Sequence, residues 1–187
     1  MKTALITGVA GQDAAYLAKL LLEKGYKVFG VAHPISTRDD FWRLDYFKIY
    51  DQIDIALGDI ADSDFMRKLI ERVMPDEFYN LAGQASVAKS WEDPVDTFRS
   101  NALGVIAVLE ILRQVKPNVK FFQASSAEIF GNSSKIINEK NTEFNPLNPY
   151  GVAKLAAHLA VKNFRNNYNM FACNGILFWH ISPLQSE

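Results

Sequence analysis

Four side chains late in the sequence have the types and spacing of an acid–base set. Tyr150 and Lys154 stand four apart in "NPYGVAKLAAH", so a helix through them brings both to one face. A phenol with an ordinary pKa of about 10 is a poor base at neutral pH. A neighbouring ammonium, or the amino-terminal end of a helix, favours the phenolate. Upstream, "FFQASSAEIFG" starts as an apolar strand and ends in Ser125, Ser126 and Glu128. With the Ser126 hydroxyl at the end of that strand, tyrosine, lysine and serine make the set that hydride transfer at an alcohol or ketone needs. The plain alternatives are an exposed Tyr–Lys pair on an amphipathic helix and, for Glu128, a solvated acid after a strand.

These residues need a scaffold, and the hydrophobic pattern supplies one. Strands are expected at 3–8, 27–32, 53–59, 77–83, 119–125 and 171–178. Helices are expected at 14–25, 62–73, roughly 95–115, and from Pro149 onward with Asn148 as N-cap. Residues 33–50 read as loop or irregular helix, and 131–147 as a polar surface loop between strand and helix. The strands are apolar on both parities, so both of their faces are covered. The expected fold is α/β, a doubly wound, mostly parallel, Rossmann-like sheet with helices on both faces. In such sheets ligands bind beyond the carboxyl ends of the strands, which is where Ser126 and Glu128 fall.

At the first strand-to-helix junction stands "TGVAGQDA", with Gly8, Gly11 and then Ala14. Glycines there allow a tight turn, close approach of a pyrophosphate and an anion facing the amides of the next helix. The spacing is G-x-x-G-x-x-A rather than G-x-G-x-x-G, and a simple turn is the alternative. Its place at the first junction of a βαβ chain favours a dinucleotide. About 20 residues on, an acid would hold the ribose of NAD. Ala32, His33 and Pro34 stand there instead, and the nearest arginine is Arg38. NADP is favoured and NAD stays open. After the third strand, Asp59 and Ile60 offer either a partner for the adenine amine or a helix cap. After the fourth, "NLAGQAS" has the small residues that let backbone pass close to a cofactor.

Composition excludes several classes. The chain has 187 residues, 49% hydrophobic and 22% charged, with net charge −1. It reads as an ordinary soluble globular protein with no basic excess to hold nucleic acid or an anionic membrane. The single cysteine, Cys173, is expected as a buried structural thiol in a reducing cytoplasm. No signal peptide and no apolar run of about 20 residues is seen, so a cytoplasmic location is expected.

"TGVAGQD", "SS-x-E" and "YGVAK", in this order on this strand pattern, resemble the extended short-chain dehydrogenase/reductase family. The longer runs "PDEFYNLAGQASVAKSWEDP", "PYGVAKLAAH" and "ACNGILF" are similar to its GDP-mannose 4,6-dehydratase branch. The resemblance implies oxidation at C4 of a sugar nucleotide, GDP-mannose, then loss of water across C5 and C6, then hydride return to C6. By position it makes Tyr150 the base at the 4-hydroxyl and Lys154 its tuner and ribose clamp. Ser126 takes the place of a family threonine, and Glu128 handles the C5 proton and water loss. It implies cofactor contacts at Gly8, Gly11, Gln12, Asp13, Asp59 and Ile60, and at Leu81, Ala82, Gly83, Gln84 and Ala85. Tyr150, Lys154 and His180 complete that set, and no metal is implied. It further implies a homo-oligomer packed through the helices near 95–115 and 149–167.

The sequence departs from the family at Ala32-His33-Pro34, where a basic cluster is usual, and at Asp96, where a tyrosine is usual. It departs again across Trp179–Pro183 and at Gln185, where an arginine is usual. Family members continue for roughly another domain. The resemblance therefore implies a dinucleotide domain over 1–180, with 181–187 the start of a truncated substrate lobe. Two alternatives stay open: another epimerase or reductase of the extended family, and a non-catalytic cofactor-binding fragment.

Overall fold

The computed structural model describes residues 1–133, 136–138 and 142–185. Six strands are formed by Thr3–Thr7 (β1), Lys27–Ala32 (β2), Ile53–Leu57 (β3), Glu77–Asn80 (β4), Lys120–Ser126 (β5) and Ala172–Leu177 (β6). They make one sheet in the order β3-β2-β1-β4-β5-β6, and every pairing is parallel. The chain reverses its direction of winding between β1 and β4, the topological switch point at which such sheets bind ligands.

Gln12–Glu23 (α1) and Trp42–Tyr46 (α2) cover one face. Ala14, Ala15, Ala18 and Leu44 pack there against Ala4, Ile6 and Val28. Ser63–Val73 (α3), Gly104–Val115 (α6) and Pro149–Tyr168 (α7) cover the other. Met66, Ile70, Leu109, Leu112 and Val161 surround Phe78 and Phe121, whose rings stack at 5.6 Å. Two short helices, Val87–Glu92 (α4) and Pro94–Phe98 (α5), precede α6. From Pro94 to Val115 the helical run is unbroken, widening into one π-type turn at Arg99–Leu103.

β1, β3, β4 and β6 stop one to three residues earlier than the apolar pattern suggests, β1 because Gly8 directly after it leaves the extended region. Gly8 has φ +72° and Gly83 φ +150°. β5 runs one residue further than expected, so Ser125 and Ser126 belong to the strand itself. Helix α4 was not expected; Ser86 caps it by accepting from the Lys89 amide at 3.2 Å. Residues 33–50 are only partly loop: Phe41 and Leu44 are buried and anchor a short 3₁₀ turn and α2. Of the expected 131–147 loop, the described residues are irregular, and 134, 135 and 139–141 lie outside the description, as do 186 and 187.

A buried polar ladder aligns the carboxyl ends of the three central strands. Thr7 Oγ1 donates to Asn80 Oδ1 at 2.5 Å, and Asn80 Nδ2 donates to Gln123 Oε1 at 2.7 Å. Gln123 Nε2 then donates to the Ala124 carbonyl at 3.0 Å. Buried polar groups are tolerable only when paired, and each of these is. Among the described residues no helix is long and apolar enough to cross a membrane.

Candidate active site

The turn after β1 is shaped for something that must come very close to backbone. Gly8 sits in the left-handed region, and a Cβ there would lie 2.9 Å from the Cα and N of Ala82. The Gly11 amide donates to the Gly8 carbonyl at 2.9 Å, and Gly11 is the N-cap of α1, which has no side-chain cap hydrogen bond among the described residues. The amides that open α1 therefore face the cleft uncovered, as an anion requires. Across the switch point, Gly83 lies so close to Asn101 Oδ1 that a side chain is excluded. Asn101 Nδ2 fixes the loop by donating to the Gln84 carbonyl at 2.8 Å.

Between these walls lies a cavity of about 550 Å³. Gly8, Gly11, Gln12 and Asp13 line it from the first turn, and Leu81, Gly83, Gln84 and Ala85 from the loop after β4. Ser126, Glu128, Tyr150, Lys154 and His180 line its other side. The residues present thus fit a dinucleotide: bare helix amides at one end, and an alcohol-handling set at the other.

Of the expected contacts, Ala82 packs behind Gly8, and Ile60 is 5% exposed and belongs to the core. Asp59 is drawn elsewhere. Its Oδ1 accepts from the Ala61 amide at 2.8 Å and its Oδ2 from Arg99 at 2.7 Å. Burial pushes its carboxyl up, but those bonds outweigh burial and leave the pKa below the usual carboxylate range. Asp62, not Asp59, caps α3, accepting from the Asp64 and Phe65 amides at 3.0 Å.

The candidate acid–base set hangs from two elements. Ser126 ends β5 and caps the short turn Ala127–Phe130, accepting from the Glu128 amide at 3.2 Å. Tyr150 and Lys154 occupy the first two turns of α7, whose N-cap is Asn148 with Pro149 in the first position. The Tyr150 phenol is raised by burial, pulled back by the Ser126 hydroxyl and raised again by the Glu128 charge. The expected lowering by Lys154 does not appear. That ammonium lies 5.8 Å from the ring centroid and points instead at the Ala124 carbonyl, 2.7 Å away. Burial brings Lys154 down to about 8.

Three further groups shape the cavity. Arg43, in the segment expected as loop or irregular helix, lines it beside the glycine turn. It donates to the Ala10 carbonyl at 3.2 Å and the Leu184 carbonyl at 2.8 Å. Burial lowers its pKa, and among the described residues it pairs with no carboxylate. Sequence reasoning missed it; the "FWRL" run around buried Phe41 and Leu44 was the available signal. Arg38 is held on the surface by Asp45 and is unavailable to the cavity. His180 bridges the end of β6 to α1, its Nε2 2.9 Å from Asp13 and its Nδ1 2.7 Å from the Phe178 carbonyl. Both contacts raise its pKa. Ser125 is hydrogen-bonded to His158 at 3.0 Å. Cys173 is half-buried rather than fully buried, and among the described residues no cluster could hold a metal ion.

The family model for GDP-mannose 4,6 dehydratase matches residues 5–187. The chain is 40% identical to a GDP-mannose 4,6-dehydratase of Yersinia enterocolitica and 42% identical to one of Vibrio cholerae, with 100% of the chain and 52% of each relative aligned. It spans about half the length of the curated relatives it matches. Among solved structures it is similar to the UDP-glucose 4-epimerase of Brucella ovis in complex with NAD, with 25% identity and a TM-score of 0.78. That match covers 91% of this chain and 50% of the other.

Proposed function

The chain belongs to the GDP-mannose 4,6 dehydratase family, and from that premise we propose that it supplies the cofactor-binding and acid–base half of a sugar-nucleotide dehydratase. Residues 1–180 form the dinucleotide domain in this reading, and 181–187 begin the part that holds the sugar nucleotide. The observation that carries it is the convergence of Ser126, Glu128, Tyr150 and Lys154 on the same cavity as the bare glycine turn.

A nicotinamide dinucleotide bound along that turn would accept hydride from C4 of the sugar and later return it to C6. Lys154 clamps the ribose that approaches it, as its buried ammonium has only the Ala124 carbonyl for a hydrogen-bond partner among the described residues. Tyr150, acting as the phenolate, takes the proton of the 4-hydroxyl while Ser126 holds the same oxygen. Oxidation at C4 acidifies the C5 proton. Glu128 removes it, breaking the C5–H bond, and delivers a proton to the 6-hydroxyl as the C6–O bond breaks and water leaves. C5 regains one proton as hydride reaches C6, equal in number to the proton that Tyr150 took. There is no net redox change. Glu128 separates this reaction from epimerisation or simple reduction, which need the tyrosine and the hydroxyl but no second base.

NADP is the proposed form of the cofactor. Arg43 supports it, as a partly desolvated cation that pairs with no carboxylate among the described residues, beside the turn and within the cavity. GDP-mannose is the proposed substrate, carried from the names of the relatives, and assembly into a homo-oligomer is proposed on the same footing. The test is incubation with catalytic NADP and GDP-mannose, followed by mass analysis. A product lighter by one water supports the reading. NADP binding without any product would leave a cofactor-binding fragment.

A further inference from the structure

Asn148 sits at a junction that the proposed chemistry does not yet use. Its Oδ1 accepts from the Gly151 amide at 2.7 Å, closing the first turn of α7. Its Nδ2 donates to Glu128 Oε2, also at 2.7 Å. The Gly151 contact fixes the orientation of the amide, because a backbone N–H only donates; the atom toward Glu128 is then Nδ2. One planar side chain therefore joins the helix that carries Tyr150 and Lys154 to the carboxylate of Glu128. The backbones are close as well: a Cβ at Gly151 would lie 2.7 Å from the Glu128 carbonyl oxygen.

Resting on the dehydratase reading, we infer that Asn148 is a positioning residue for water loss: it holds Oε2 of Glu128 and leaves Oε1 to handle the proton. Serine, threonine, aspartate and asparagine all cap helices. Only asparagine among them carries separate donor and acceptor atoms on one rigid fork. Aspartate at this position keeps the acceptor for Gly151 but sets a carboxylate against that of Glu128. A displacement of about 1 Å at a reacting group costs on the order of 100-fold in rate. The loss should appear in the step that Glu128 performs and leave oxidation at C4 in place.

The test compares Asn148→Asp with Asn148→Ala in the full chain. Melting is followed together with reduction of bound NADP on mixing with GDP-mannose and with formation of the dehydrated product. Asn148→Asp should melt near the wild type and still reduce the cofactor, yet form product about 10- to 100-fold more slowly, in kcat rather than KM. Asn148→Ala should lose the same product rate and also melt lower. Wild-type product formation in Asn148→Asp, with impairment only in Asn148→Ala, would reduce Asn148 to a helix cap and overturn the proposal. A second measurement separates this from failure of the dehydratase reading. The side-chain amide protons of Asn148, observed by NMR, should shift in Glu128→Ala and stay in place in Tyr150→Phe. If Glu128→Ala leaves them unmoved, the orientation itself is wrong, whatever the activity.

Discussion

Replacing Lys154 by methionine should make the protein more stable while removing a residue that its proposed chemistry requires. Lys154 is 7% exposed as a residue, and burial brings its pKa from 10.5 down to about 8. At roughly 1.4 kcal/mol per pH unit, holding that charge in the folded protein at pH 7 costs about 3 kcal/mol. Methionine is of similar length, fills the same space and carries no charge. The substitution gives up one hydrogen bond of about 1 kcal/mol. The Ala124 carbonyl is not orphaned, because Gln123 Nε2 still donates to it at 3.0 Å. The net gain at pH 7 is about 2 kcal/mol, or about 4–8 °C in melting temperature for a chain of this size.

The pH dependence has a definite sign. Between about 8 and 10.5 the unfolded chain keeps the Lys154 proton that the folded protein releases. Wild-type stability therefore rises with pH across that window, and the advantage of Lys154→Met shrinks over the same range. Urea unfolding of both proteins at about pH 7 and about pH 10 measures this directly. A methionine variant less stable at pH 7, or an advantage identical at both pH values, would refute the buried-ammonium argument.

Gly8→Ala forces a Cβ to within 2.9 Å of the Ala82 backbone at φ +72°, so it should cost about 1–3 kcal/mol and abolish NADP binding by calorimetry. His180 holds a proton more tightly in the folded protein than in the unfolded chain. Its pair with Asp13 thus contributes fully below pH 6.5 and fades as pH rises through the raised folded value. Both side chains are partly exposed, 49% and 38%, so the difference between wild type and His180→Gln should stay below about 1 kcal/mol and vanish at alkaline pH in urea titrations. Arg43→Leu should weaken NADP binding at least tenfold. It should lower NAD affinity much less if the guanidinium meets the 2′-phosphate, and calorimetry with both dinucleotides decides. Glu128→Gln should still reduce bound NADP on adding GDP-mannose, while product formation falls by about 10²–10⁴.

What the sequence revealed was what neighbouring residues decide among themselves. Apolar strands in regular alternation with helices dictated the parallel sheet. Gly8 and Gly11 marked the turn, and Asn148-Pro149 marked the start of α7. Gly8 accounts for the early end of β1, and periodicity could not register the early end of β4 because Leu81 and Ala82 are as apolar as the strand before them. Contacts between distant segments were not legible. Arg43 reaches the cavity only because Ala10 and Leu184 fold to its sides. Asp59 was expected as a partner for an adenine or as a helix cap, and its bond to Arg99, 40 positions later, was not legible. The helical spacing placed Tyr150 and Lys154 on one face, but the direction of the ammonium depended on the Ala124 carbonyl of another element.

The central claim is that hydride leaves C4 and returns to C6 of the same sugar, with Glu128 removing water between the two transfers. GDP-mannose labelled with deuterium at C4, incubated with the protein and substoichiometric NADP, tests it most directly. The account predicts a 4-keto-6-deoxy product carrying the label at C6, with no net gain of NADPH. Label retained at C4 of an epimerised hexose, or stoichiometric change in the cofactor, would contradict it.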